Sequence, residues 1–416
     1  MVRPLLLLLL VGAALGRVPA RVLLVDLDDV GYDLLAAART PTLDRLSQEG
    51  RRFTRFHSSP LCSPTRARGL LGAYGSRPEL RLGTIIRRES RYTLPLVAFV
   101  PLPRLLAAHG KTAVKVGKWH LCPDADLTHP TRAGFAHYVG VIGNPSGGSG
   151  GDNYFNFPKV VEGEERRTRQ RYLTSDETED ALRFVRAHHD LVWLSYHAVH
   201  KPFHQPPPGL YNGTRPLESD LDHVLAMLAA LDQELGRLLE AALAEGYTVL
   251  VVSDNGSPEE VEGGKGKLTP AGVIVPAWAI GPGVVPGEDD TPIDWVDLYA
   301  TVASLLDVPV DGELEGPDSL SFAHRLRGED GPRRRYLYAD RWKPNGKDPR
   351  TLEAGKLWAR ALRDDRWTLV VDEGAIGRRL HDRAQDPDET RDLLQAELSE
   401  PARAAYARML AELGLE

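Results

Sequence analysis

Short apolar runs recur along the chain, and several end in a cluster of acidic or basic residues. Residues 21–26 (RVLLVD), 191–196 (LVWLSY) and 247–252 (YTVLVV) are rich in branched side chains, the pattern of strands buried on both faces. Residues 111–116 (KTAVKV) alternate apolar and polar positions and predict a further strand. Between these runs the period changes to that of helices. Residues 40–46 open a helix that Gly50 ends, residues 67–71 begin another, and residues 105–109 end one at Gly110. Leu221, Leu225, Leu228, Leu235, Leu238 and Leu239 share one face of a long helix closed by Gly246. Strands alternating with helices predict an α/β fold. After Gly316, Pro317 and Asp318 the composition turns more basic and less apolar, a candidate domain boundary. Residues 336–338, 361–363 and 367–371 read as short strands beyond it.

The first residues follow a different logic. A short basic start is followed by apolar residues 5–15, then small residues to about Ala20, the layout of a secretory signal over residues 1–20. It is too short for a stable membrane span, and no second run approaches that length. A retained N-terminal anchor is the alternative. The expectation is an exported protein, secreted or periplasmic. Asn212 heads an Asn-Gly-Thr triplet, a glycosylation acceptor if the source glycosylates. With 416 residues the chain can hold one large α/β domain with an appendage, or two domains. A net charge of −7 argues against a nucleic-acid-binding protein and requires any anion site to gather its cations locally.

The candidate chemistry lies where predicted strands and helices end. Cys62 precedes the helix start at residues 67–71, where backbone N–H groups and the helix dipole favour negative charge, and Arg66 adds a planar fork of donors. That suits a nucleophile acting on an anionic substrate. A structural thiol, or a disulfide to Cys122, is the other reading of Cys62. Asp28 and Asp29 follow the first strand, at the sheet edge where α/β proteins build sites; taken alone they are a solvated turn. Lys118 and His120 follow the strand at 111–116, and i, i+2 positions on a strand share a face. Asp254, Asn255 and Gly256 follow the strand at 247–252; alone, they are a turn. Residues 144–153 are rich in Gly and Ser and read as a loop near the substrate.

Taken as a set, these motifs resemble the type I sulfatases of the alkaline phosphatase superfamily. Residues 62–66 (CSPTR) resemble the family's C-x-P-x-R, residues 28–32 (DDVGY) its DDxGY, residues 117–121 (GKWHL) its GKWHL, and residues 253–256 (SDNG) its SDNG. His200, Pro202 and Phe203 are similar to an H-x-P-F segment, with His197 and His204 as weaker counterparts of its histidine. Lys265 matches a substrate-binding lysine, although Pro270, Ala271, Gly272 and Ile274 replace the Glu-Gly-Gly and Arg that usually follow. Asp26 stands where the family has a small residue, and Arg132, near His129, where several members have histidine.

The resemblance implies a large mixed, mostly parallel sheet flanked by helices over residues 21–316. A smaller C-terminal α+β subdomain, with a small antiparallel sheet and a helix, would occupy residues 317–416. It also implies that a formylglycine-generating enzyme converts Cys62 to formylglycine. Asp28, Asp29, residue 62, Asp254 and Asn255 would hold a divalent cation, and Arg66, Lys118, His120, His200 and Lys265 would serve catalysis. Oxygen donors of this kind suit Ca²⁺, with Mg²⁺ second, and argue against a soft-ligand Zn²⁺ site. The implied substrate is a sulfated small molecule or glycan. Phosphomonoester or phosphonate-ester hydrolysis, and non-catalytic glycan binding with an unmodified Cys62, are the competing readings.

Overall fold

The structure, a computed structural model, describes residues 20–145, 153–211, 217–347, 354–372 and 377–415. The signal segment at residues 1–19 and Asn212 lie outside the described residues, as does most of the loop at 144–153. The main sheet has ten strands in the order Gly287–Asp289, Arg51–Phe53, Ala277–Ile280, Tyr247–Ser253, Arg21–Leu27, Leu191–Ser195, Ala113–Gly117, His137–Gly140, Asn156–Val161 and Glu164–Arg169. The five from Tyr247–Ser253 to His137–Gly140 are mutually parallel, and antiparallel pairs lie toward both edges.

Arg21–Leu27 shows why the apolar runs are continuous rather than alternating. Val22 and Leu24 pack with Leu70, Trp295 and Leu298 on one face, while Leu23, Val25 and Leu27 pack with Leu182, Leu228 and Leu235 on the other. Both faces are roofed by helices, so every side chain of this central strand after Arg21 is accommodated in the interior. On the second face the helix Asp220–Ala244 begins in a capping box between Ser219 and Asp222. Leu228, Leu235, Leu238 and Leu239 are buried as the periodicity predicts, but Leu221 is exposed because the first turn overhangs the core. The same helix has a second duty invisible in its leucine pattern. Asp232 accepts hydrogen bonds from the backbone N–H groups of Thr42 and Leu43 at 2.9 Å, closing the free amide end of the helix Pro41–Glu49.

At the C-terminus, Leu337–Lys347, Ala354–Arg363, Trp367–Asp372 and Gly377–Asp382 form a four-stranded antiparallel sheet in sequence order. One face is covered by the helix Glu400–Glu412 through Ala402, Ala405 and Met409. The other packs on Leu268 and Val273 of the main body. The contact includes fully buried Arg68, which lies 3.2 Å from Asp294 and 3.6 Å from Asp340. Arg68 belongs to the helix that starts at Cys62, so the small sheet abuts the element carrying the candidate nucleophile.

Candidate active site

Four of the parallel strands deliver their following residues to one place. Arg21–Leu27 leads to Asp28 and Asp29, Ala113–Gly117 to Lys118 and His120, Leu191–Ser195 to His197 and His200, and Tyr247–Ser253 to Asp254 and Asn255. The carboxyl ends of a parallel sheet converge in this way. Cys62 is the first residue of the helix Cys62–Leu71, whose N-cap, Leu61, has no side chain able to satisfy the free amides. Its Sγ lies 3.6 Å from Asp28 Oδ1 and 3.7 Å from Lys118 Nζ. Cys62 and Cys122 are both buried free thiols, so the disulfide reading does not hold; Cys122 instead meets the Asp126 carbonyl at 3.4 Å.

Oxygen atoms of Asp28, Asp29 and Asp254, together with Cys62 Sγ, lie within 4.8 Å of one another, all buried. Asn255 donates to Asp29 Oδ1 at 2.7 Å, while its own Oδ1 is buried without a hydrogen-bond partner among the described residues. An unpaired amide oxygen beside three carboxylates is a donor set that fits a hard divalent cation. Burial and the neighbouring Asp28 push Asp254 up to about 7, a sign of how crowded the negative charge is. Asp28 behaves oppositely. Burial disfavours its charge, yet the neighbouring cations, Lys118 first, outweigh burial and hold it well below the usual carboxylate range.

Cations face these acids one to one. Lys118 pairs with Asp28, Lys265 with Asp29 at 2.6 Å, and Arg66 with Asp254 at 3.0 Å. Burial and the charge of Asp254 push the Cys62 thiol well up, so the unmodified thiol is protonated and a poor nucleophile. His120 and His200 are both held well below the usual imidazole value, by burial first and then by nearby lysines. His200 Nδ1 faces the Lys201 carbonyl at 2.8 Å, which leaves Nε2 as its acceptor. Tyr154 anchors this segment by donating to the carbonyls of His197 and His200, at 2.5 and 2.7 Å.

Several expectations change in detail. The strand Ala113–Gly117 stops before Lys118, so strand alternation does not explain why Lys118 and His120 meet the site. A turn does: Gly117 has φ 82° and His120 φ 60°, and the Lys118 N–H donates to the Ser195 carbonyl at 2.8 Å. A Cβ on Gly117 would stand 2.0 Å from that carbonyl oxygen. Arg132 lies at the surface, paired with Asp126, and not in the site. His129 is buried among Trp119 and the Leu94 carbonyl and serves packing. His197 bonds Glu177 at 2.5 Å and the Gly143 carbonyl at 2.9 Å, and His204 stacks at 4.3 Å on Tyr154, so both rings are committed away from the acids. The unusual segment Pro270–Val273 buttresses the Asp254–Gly256 turn. Gly256 donates to the Gly272 carbonyl at 3.1 Å, and a Cβ on Gly256 would lie 1.9 Å from Ala271 O.

Asp26 is the residue whose part was not legible. It lies 2.9 Å from Arg66, accepts from Trp193 at 2.9 Å and from Ser195, and Ser195 in turn meets Lys115. Burial pushes Lys115 down to about 7. Two charged residues inside otherwise apolar strand sequences were the available signal.

Comparison with known proteins decides the family. The family model described as Sulfatase matches residues 21–308. The chain belongs to the sulfatase family. An uncharacterized sulfatase of Escherichia coli, YdeN, is 27% identical over 339 residues, covering 70% of this chain and 59% of that protein. Human N-acetylgalactosamine-6-sulfatase is 29% identical over 360 residues, covering 73% and 66%. The sulfatase chain thus spans between about half and two thirds of the length of these relatives. Among solved structures, Ps i-CgsB in complex with k-i-k-neocarrahexaose superposes with a TM-score of 0.75 at 21% identity, covering 95% of this chain and 92% of that one. At that identity the likeness shows the fold. No described helix is long and apolar enough to cross a membrane.

Proposed function

We propose that the protein is a sulfuric ester hydrolase that cleaves a sulfate monoester through residue 62 and releases inorganic sulfate. The observation that carries this reading is the placement of Cys62 at a helix N-terminus between Asp28 and Lys118, over a cluster of three aspartates and Asn255. In this reading a formylglycine-generating enzyme oxidises Cys62 to an aldehyde during maturation, and the aldehyde adds water to give two geminal hydroxyls. The exported location, secreted or periplasmic, and the division at residues 316 and 317 belong to the same proposal.

A Ca²⁺ ion, or Mg²⁺ as second choice, held by Asp28, Asp29, residue 62, Asp254 and Asn255 would supply charge neutralisation for the sulfate and its attacking oxygen. The chain's own residues do the rest. Lys118, Arg66 and Lys265 line the acids and draw an anionic group to the helix N-terminus. One hydroxyl of residue 62 gives up its proton to solvent and attacks sulfur as the bond to the ester oxygen breaks. His200, with Lys265 beside it, gives the departing oxygen its proton; the negative charge of bound sulfate acts against the burial and the lysines that otherwise keep the imidazole neutral. His120 Nδ1 is buried with no partner among the described residues, and it takes the proton of the second hydroxyl. The carbon–oxygen bond to sulfate then breaks, sulfate leaves and the aldehyde is restored.

The test compares nitrophenyl sulfate with nitrophenyl phosphate after co-expression with a maturation enzyme. Faster hydrolysis of the sulfate is expected; a preference for the phosphate would move the protein to the phosphoesterase reading. Cation binding has a readout of its own. Calcium at about a hundredfold excess over its Kd should stabilise the fold by about 2.7 kcal/mol, seen as a rise in Tm that chelation reverses. A Tm indifferent to both treatments would remove the cation from the account. A relative named N-acetylgalactosamine-6-sulfatase makes a glycan sulfate the favoured substrate class.

A further inference from the structure

Among the described residues, Trp358 is the one aromatic side chain among the large exposed hydrophobics, with 42% of its surface open. Its position is set by a break in the strand register. Arg341 pairs with Ala359 and Trp342 with Leu357, so Trp358 is the extra residue of a bulge in Ala354–Arg363. Simple alternation would send Trp358 with Leu362 toward the C-terminal helix. The bulge instead brings it to Arg341, whose guanidinium stacks 4.3 Å above its ring, with Lys343 at 5.8 Å.

This edge of the small sheet adjoins the candidate active site. Arg341 donates to the Gly266 carbonyl at 2.7 Å, and the preceding residue is Lys265, which pairs with Asp29. The charge at the edge is unusual for a chain of net charge −7. Lys343 lies directly opposite Lys356 in the register, an arrangement of like charges that costs stability, and Lys356 is exposed. Arg341 and Lys343 form no ion pair among the described residues; Asp372 and Glu259 act on Arg341 only through their field.

We propose that Trp358, Arg341, Lys343 and Lys356 form a subsite for a neighbouring sugar of a sulfated oligosaccharide. The sugar ring stacks on the open face of Trp358, and its anionic substituents meet the three cations. An exposed ring supplies apolar contact to the C–H face of a sugar, while cations held without carboxylate partners supply the charge that a polyanion completes. This inference rests on the reading of the site as a sulfate-ester hydrolase and extends it from one sulfate to an extended substrate.

The test measures binding to full-length Cys62→Ser protein, which turns nothing over. The probes are a heparin hexasaccharide, a chondroitin sulfate hexasaccharide and their desulfated counterparts. At least one sulfated probe should bind, and adding Trp358→Ala should weaken it by about tenfold. The Lys343→Ala/Lys356→Ala pair should weaken it and flatten its salt dependence, and the desulfated probes should bind least. Absence of binding to both sulfated probes, or binding that these substitutions leave unchanged, overturns the subsite. Sulfate release from nitrophenyl sulfate by the unsubstituted protein is scored separately. Release without hexasaccharide binding removes the subsite and leaves the hydrolase; Trp358-dependent binding without any release removes the hydrolase and leaves a glycan-binding protein.

Discussion

Cys62→Ala should lower sulfate release by at least about four orders of magnitude, because a methyl side chain offers no thiol for conversion to the aldehyde whose hydrate is the nucleophile. The fold should survive. Cys62 is fully buried, and exchanging its thiol for a methyl group leaves a small cavity worth about 1 kcal/mol. The two outcomes are read together: loss of turnover beside a nearly unchanged unfolding midpoint. Turnover persisting in the alanine variant would mean that the attacking oxygen comes from bulk water, leaving residue 62 with no part in the chemistry.

Asp26→Ala should be the most damaging single change to stability among the residues around the site, at about 3–5 kcal/mol. The carboxylate is completely buried and faces Arg66, Trp193 and Ser195 together. Removing it leaves the buried Arg66 with Asp254 as its close partner and deprives the Ser195–Lys115 pair of its acceptor. Asp26→Asn keeps an acceptor but drops the charge, so its loss should be smaller. Denaturant titration of the two variants checks the order, and equal midpoints for Asp26→Ala and the parent would show that Arg66 is held by Asp254 alone. Turnover should fall as well, since Arg66 is the link between this buried network and the acidic cluster.

Much of the site was legible because its residues sit where strongly patterned elements end. Asp28, Asp29, Asp254 and Asn255 each follow an apolar strand, and a parallel sheet gathers such ends without further information. Cys62 was legible as a residue ahead of a helix expected to start at residue 67; the helix in fact starts at Cys62 itself, five residues earlier. The route by which Lys118 and His120 arrive was not, since a left-handed turn after Gly117 leaves no periodic trace. Asp26 and Lys115 were hidden by the same strands that made the fold readable; their partners, Arg66 of a helix and Ser195 of the neighbouring strand, are brought in by the fold, which a single sequence does not reveal. The outer hairpin Asn156–Val161 and Glu164–Arg169 gave no pattern because its second strand is almost wholly exposed and charged. Arg132, which stands where several sulfatases have histidine, turns outward to Asp126 and not toward the acids.

The account rests on a side chain rebuilt before it acts, and the mass of the tryptic peptide 56–66 from protein that releases sulfate tests this most directly. The expected mass carries CHO in place of CH₂SH at residue 62, in a fraction that rises with specific activity across preparations. Full activity from protein whose residue 62 remains entirely a thiol would contradict it.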